Sequence, residues 1–352
     1  MAGEGDATAA MATRLPPKLA AWYRAQGITV NRFEDLAPRY RYVRVPRKHA
    51  GDADAIRRAL GAETVDWLPG FLRLPAAQRL KGTGPYETNR VFAMDAASGF
   101  AALSLGCCAG DRVLDLCCAP GAKLLCLAEA IGETGAVDGV DASEKRLAVA
   151  RRLLDAHHDP DTAARVRLYR SDGRRFPDAG KAVAYDSRAA DSVEQRGARK
   201  RLNKSARRRG AARLAALAEE TVMTYDRVLV DADCSTDASA AHVRKMVEQG
   251  TALANVAGAR CAALCALQAA LLRNGFGKLR AGGVLVYGTC SLTTSQNEDV
   301  VAAFLDEEPA ARLVPLAVPA VALAGALAGT VRFPAGGETS GLFVAKLERV
   351  FD

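Results

Sequence analysis

The sequence predicts an α/β protein in which a doubly wound, seven-stranded sheet follows a small α+β unit. Three observations carry this prediction. Short apolar, β-prone runs recur at residues 112–116, 136–140, 166–170, 227–230, 283–288 and 342–347, with helix-length patterns between most of them. The first run leads into CCAPGAK, a turn shaped by Pro120 and Gly121. Two later runs, DRVLVDADCS and GGVLVYGTCS, each deliver a cysteine, Cys234 and Cys290, to a strand's carboxyl end. In open α/β sheets those ends form the ligand crevice, so both thiols are expected to face it.

In chain order, the first dozen residues are small and polar and predict no element. A helix is expected over 15–26, and Asn31 is expected to cap a second, short one through Ala37. The small unit then reads as a strand at 40–45, a helix at 52–60 stopped by Gly61, and two short strands within 63–74 around Pro69-Gly70. A helix over 94–105 and a turn at 106–110 lead into the main domain, where helices are expected at 121–131, 143–156, 259–274 and 297–305. The expected organisation is therefore a tip with helices at 1–39, the small unit with its bridge at 40–105, and the main domain at 106–352. An interruption at about 177–220 is longer than an ordinary connection.

Composition bounds the function classes. With 352 residues, 49% of them hydrophobic, the chain can fill the core of a large domain. The 48 Lys and Arg against 40 Asp and Glu give a net charge of +8, which favours a polyanionic partner such as nucleic acid. Much of that excess sits in RGARKRLNKSARRRGAARL, where Arg199, Lys200, Arg201, Lys204, Arg207, Arg208 and Arg209 follow one another without an acid. The run reads as a phosphate-binding arm, a nuclear address or a solvated insertion. The longest apolar stretch, 313–331, is rich in Ala, Pro and Gly and predicts no membrane span. Glu4 and Asp6 argue against a secretory or mitochondrial leader. Nine cysteines, with adjacent pairs at Cys107-Cys108 and Cys117-Cys118, suit a reducing compartment better than a disulfide framework. Neither CxxC spacing nor His clusters occur, so no metal is expected.

The turn over Cys117, Cys118, Ala119, Pro120 and Gly121 would present backbone N–H groups to a cofactor at the start of a helix. It lacks GxGxxG, which disfavours a dehydrogenase, and Lys123 is followed by Leu124 rather than the Ser or Thr of a P-loop. Asp141, about 20 residues on at the end of the second strand, either binds a ribose hydroxyl or caps the helix that begins near Ser143. Asp172, beyond the third strand, fits an adenine amino group or a plain turn. A ligand with ribose and adenine but no phosphate, such as S-adenosylmethionine, suits these residues.

DLCCAPGAK, VDGVDASEKRL, DRVLVDADCS and GGVLVYGTCSLTTSQNEDVV, in that order, resemble the Nol/Nop/Sun family of S-adenosylmethionine-dependent RNA cytosine-5 methyltransferases. GLFVAKL is similar to that family's last strand. The resemblance covers roughly residues 40–350 and implies a class I methyltransferase (Rossmann-like) fold, the 41–75 unit being its RNA-binding subdomain. It implies that Cys290 adds to C6 of cytosine and so activates C5 toward the methyl group. Cys234 would then help remove the C5 proton and release the product, with Asp231 hydrogen-bonded to the base and Lys123 in the same crevice. Arg146 joins the implied cofactor group with residues 117–121, Lys123, Asp141, Asp172 and Asp231. The implied partner is rRNA or tRNA, with an assembly or specificity protein as a further candidate. Two residues depart from the family pattern. Asp233 replaces the proline before Cys234, which is expected to raise the Cys234 pKa, and Ala122 replaces a glycine. The alternative reading is a catalytically impaired, methyltransferase-like RNA-binding factor in ribosome assembly. A DNA cytosine methyltransferase would use the strand-four cysteine as nucleophile and lack the GTCS thiol.

Overall fold

The computed structural model describes residues 14–177, 183–186 and 224–351. The first dozen residues and the basic run from Arg196 to Arg213 lie outside that set, so the arm expected of Arg199, Lys200, Arg201, Lys204, Arg207, Arg208 and Arg209 receives no structural account.

Four strands make a small sheet in the order β2-β3-β1-β4: β1 (Tyr40–Arg44), β2 (Glu63–Thr64), β3 (Phe71–Pro75) and β4 (Phe92–Ala93). The helix Ala53–Leu60 buries Ile56 and Leu60 against it and ends at Gly61, which takes the left-handed conformation at φ 59° that glycine adopts without penalty. The Pro69-Gly70 turn needs its glycine for another reason. A Cβ on Gly70 would lie 1.7 Å from Nη1 of Arg44, which passes over the turn to pair with Glu129 at 3.1 Å. That buried pair fastens the small sheet to the helix Ala122–Ala130 of the main body.

The main sheet contains β5 (Arg112–Asp115), β6 (Ala136–Asp141), β7 (Val166–Arg170), β8 (Val183–Asp186), β9 (Tyr225–Asp231), β10 (Leu279–Thr289), β11 (Ala311–Leu313), β12 (Leu323–Ala324), β13 (Val331–Phe333) and β14 (Leu342–Arg349). Its order is β12-β13-β14-β10-β9-β5-β6-β7-β8, with β11 also on β14. The strands β10, β9, β5, β6 and β7 are parallel, while β14 runs antiparallel to β10. The expected seven strands are thus ten among the described residues. The added ones, of two to four residues each, are too short to form a run of apolar residues. Apolar side chains fill both faces, with Leu114, Val228, Val230 and Leu285 on one and Val113, Val137, Leu229 and Val286 on the other. Strands buried on both sides explain why these runs read as continuous rather than alternating.

The N-terminal segment packs elsewhere than expected of a separate tip. Leu15, Leu19, Tyr23, Val30, Phe33 and Leu36 share a core with Val243, Met246, Ala252 and Val256 from the helices Ala240–Glu248 and Ala252–Ala257. Asn31 does not cap the short 3-10 turn Phe33–Leu36; the Asp35 carboxylate accepts from the N–H groups of Asn31 and Arg32 instead. The Asp35 carboxylate, one turn on, accepts from both amides through Oδ2, while the Asn31 side chain accepts from Arg24.

Candidate active site

The carboxyl ends of β5, β6, β9 and β10 lie side by side, and the loops that leave them hold most of the residues singled out in the sequence. Residues 232–238 follow β9 and residues 290–297 follow β10. They bring Cys234 and Cys290 together with their sulfurs 3.4 Å apart, both as free thiols. Cys234 is buried and Cys290 partly open. The hydrogen bond with Cys290, then burial, pushes the Cys234 thiol well above the ordinary thiol range. Its next-nearest charged influence is Asp237, whereas Asp233, expected to play that part, points its side chain to solvent.

Two glutamine and asparagine side chains knit the loops. Gln296, fully buried, accepts from the Ser235 N–H at 3.0 Å and donates to Ser235 Oγ at 2.9 Å; Gln268 donates to Gln296 at 3.1 Å and to the Asp233 carbonyl at 2.9 Å. Asn297 donates to the carbonyls of Ser291 and Thr293, both at 2.8 Å, and accepts from Thr289 Oγ1 at 2.6 Å. Ser291 Oγ lies 2.9 Å from Ser235 Oγ, within hydrogen-bond distance, joining loop to loop directly. Among these groups Gln268 Oε1 keeps no hydrogen-bond partner; the others are satisfied, which favours a single arrangement because an alternative would strand donors or acceptors away from water.

At the head of the helix Ala122–Ala130, Lys123 donates to Asp231 at 2.7 Å and to Ser98 at 3.1 Å. Burial alone would lower the Lys123 pKa, but Asp231 outweighs it and the ammonium stays charged. Asp115, at the end of β5, is 1% exposed, and burial followed by the charge of Asp231 pushes its pKa up to about 8. Its Oδ2 has no hydrogen-bond partner, and neither does the buried Ser171 Oγ beyond β7.

The proline turn is built closely. Gly121 sits at φ 116°, and a Cβ there would come within 2.9 Å of the Ala150 Cα on the facing helix Glu144–His157. Cys118 and Ala119 are buried, and Arg146 reaches back to the Ala119 carbonyl. The cap is Ser143, whose Oγ accepts from the Arg146 N–H at 3.4 Å, while Asp141 Oδ1 accepts from the Ser143 N–H at 2.8 Å and Arg146 stands 3.5 Å from Asp141 Oδ2. A carboxylate has lone pairs left for a hydroxyl after one such bond. Asp172 is held by Arg174, whose guanidinium donates to both of its oxygens, so the turn role read from the sequence is met in full. The unpartnered oxygens of Asp115 and Ser171, the close glycine turn and the acid at the end of β6 fit a ligand rich in hydroxyl and amino groups. They offer no cationic cluster for phosphates. Of the residues singled out in the sequence, Lys123 pairs with Asp231, Arg146 reaches both the Ala119 carbonyl and Asp141, and Asp172 is engaged by Arg174.

Sequence reasoning missed Ser98, Asp115, Ser171, Tyr23, Ser235, Asp237, Gln268, Gln296 and Asn297 as parts of this site. Asp115, Ser235, Gln296 and Asn297 lie inside motifs it quoted, and polar residues amid apolar runs were the signal available.

Sheet order, proline turn and paired thiols together define a class I methyltransferase fold. The comparison with solved structures agrees: NSun6 from Pyrococcus horikoshii with SFG superposes with a TM-score of 0.68 at 16% identity, covering 96% of this chain and 99% of that one. A methyltransferase homolog protein from the same organism superposes at 0.64 and 21% identity, with 96% and 100% covered. Residues 176–348 match the family described as 16S rRNA methyltransferase RsmB/F. It is 32% identical over 215 residues to the 5-cytosine rRNA methyltransferase NSUN4 of Bos taurus, covering 60% of this chain and 43% of that one. It is 28% identical over 310 residues to ribosomal RNA small subunit methyltransferase B of Xanthomonas campestris, covering 87% and 59%. The chain thus spans about half the length of these curated relatives.

Proposed function

We propose that this chain methylates C5 of cytosine in RNA, ribosomal RNA before transfer RNA, using S-adenosylmethionine. The observation that supports this most is the pair of thiols 3.4 Å apart at the ends of β9 and β10, beside a charged Lys123–Asp231 pair. The cofactor supplies a methyl group on a sulfonium, held by the Cys117–Gly121 turn with Asp115, Asp141 and Ser171 taking its polar groups.

Cys290 adds through sulfur to C6 of a cytosine drawn out of its stack, and the C5–C6 edge becomes electron-rich enough for C5 to take the methyl group. Asp231 accepts from the base while Lys123 holds that carboxylate in place and balances its charge, so charge that builds on the ring meets preset partners. The C5 proton then leaves, the C5–C6 double bond re-forms, and the Cys290 sulfur departs. Cys234 takes part in this last step. Two of the four influences that keep its proton on come from Cys290, and both weaken once that sulfur is bonded to carbon. The Cys234 thiol therefore becomes easier to ionise only after the adduct exists, when a base is needed. The small sheet and the basic run 196–213 would grip phosphates.

The test is Cys234→Ala incubated with RNA and S-adenosylmethionine. A protein–RNA adduct that survives denaturation and disappears in the Cys234→Ala/Cys290→Ala double variant is the expected result. Absence of any adduct while RNA and cofactor bind would overturn the reading in favour of a ribosome-assembly factor.

A further inference from the structure

The loop that carries Cys234 also buries a carboxylate to which the proposed chemistry gives no role. Asp237 is fully buried. Its Oδ1 accepts from Ser235 Oγ at 2.5 Å and from the Leu292 N–H at 3.1 Å, and its Oδ2 accepts from the Tyr23 phenol at 3.2 Å. One side chain thereby joins the Cys234 loop, the Cys290 loop and the N-terminal helix Pro17–Ala25, 214 residues away in sequence. All three partners are neutral, and burial holds the Asp237 pKa above the usual carboxylate range. A carboxylate in that setting costs stability that an apolar side chain would not, so its retention here points to geometry rather than to stability.

The geometry in question is local. Between Cys234 and Asp237, Thr236 sits at φ 53°, a left-handed conformation that costs a β-branched residue about 1 kcal/mol or more. Held there, the Thr236 N–H points at the Cys234 sulfur, 3.4 Å away. Ser235 and Leu292, the two groups that Asp237 grips, flank Cys234 and follow Cys290. The N-terminal helix cannot drift from this contact, because Leu15, Leu19, Val30, Phe33 and Leu36 are buried with Val243, Met246 and Val256.

We propose that Asp237 is a positioning residue that sets the two thiols in register, and that Tyr23 makes the N-terminal helix a part of the catalytic site. The proposal rests on the reading of Cys290 and Cys234 as the reacting thiols.

The test compares Asp237→Ala, Asp237→Asn and Tyr23→Phe in the full chain by two readouts. The first needs no RNA: cross-linking by dibromobimane, which fluoresces when both of its arms capture thiols, with the Cys234–Cys290 product located by peptide mass spectrometry. The second is kcat and KM for methylation of RNA. Asp237→Ala is expected to slow the cross-link and lower kcat about tenfold each, with KM within about twofold, the size of effect that follows from losing one or two buried hydrogen bonds. Asp237→Asn keeps an oxygen to accept from Ser235 and Leu292 and is expected to restore most of both. Tyr23→Phe, which preserves the core, is expected to fall between, at about threefold.

A wild-type cross-linking rate in Asp237→Ala would overturn the proposal, as would an Asn variant no better than Ala. Should the cross-link series hold while even the wild-type chain methylates no RNA, the positioning role stands and the enzymatic reading fails. Should the series be flat while methylation persists, the reverse is true.

Discussion

The thiol loops and the proline turn stand at neighbouring strand ends, yet they are finished to different degrees. Around Cys234 and Cys290, Ser235, Gln296, Asn297 and Asp237 meet protein partners, so the distance between the sulfurs is fixed before anything binds. Around the turn, Asp115 and Ser171 keep buried oxygens without partners, and order comes from backbone packing at Gly121. The difference assigns labour. On the proposed reading, the side that would make and break bonds to a base is preorganised, which limits reorganisation in the transition state, while the side that would hold the cofactor is completed by it.

The sharpest way to break this contrast is at the charged pair between the two sides. Lys123→Met should lower kcat by about a hundredfold or more, since it leaves Asp231 uncompensated where charge develops, and should lower the melting temperature as well because that carboxylate is partly buried. Single-turnover methylation reads the first and calorimetry the second. Gln296→Ala comes next. It leaves the Ser235 and Gln268 groups unsatisfied in a dry site and should cost about 2–4 kcal/mol of stability in urea titration, while cofactor affinity measured by calorimetry stays close to wild type. If cofactor affinity falls as much as stability, the two regions are not independent.

Gly121→Ala addresses the other side. With φ at 116° and Ala150 within 2.9 Å of the new Cβ, the turn must shift, and both stability and cofactor affinity should fall, stability by about 1–3 kcal/mol. The smallest effect is the most specific. Asp115 ionises near 3.9 in the unfolded chain but at about 8 in the fold, so the folded protein keeps a proton that the unfolded one has lost. Its contribution is most favourable below about pH 4 and declines as pH rises to about 8. Asp115→Asn carries no such burden, so its melting temperature should draw ahead of wild type by a few degrees from pH 5 to pH 8. A constant offset across that range would mean that Asp115 is already ionised in the fold.

The legible part of this molecule was the part written as contiguous pattern. The runs at β5, β6, β7, β9, β10 and β14 each bury both faces, and Cys234, Cys290, Pro120 and Gly121 all lie in the loops that directly follow β9, β10 and β5. The edge strands β11, β12 and β13 were not legible, because two or three residues paired to a neighbour need no apolar run of their own. Nor was the Tyr23–Asp237 contact. A buried hydrogen bond across 214 residues leaves no spacing in the sequence, so adjacency to Cys234 marks Asp233 rather than Asp237, the acid that the fold buries. Asn31 failed as a cap for a similar reason: propensity named a capable residue, while chain direction gave the amides to Asp35.

The place of β14 has a consequence for the protein during its synthesis. β14 inserts between β10 and β13, so until residue 349 has left the ribosome, β10 has a bare edge directly behind Cys290. An unpaired central strand of this kind is a template for wrong partners, and a nascent chain in that state would gain from being shielded.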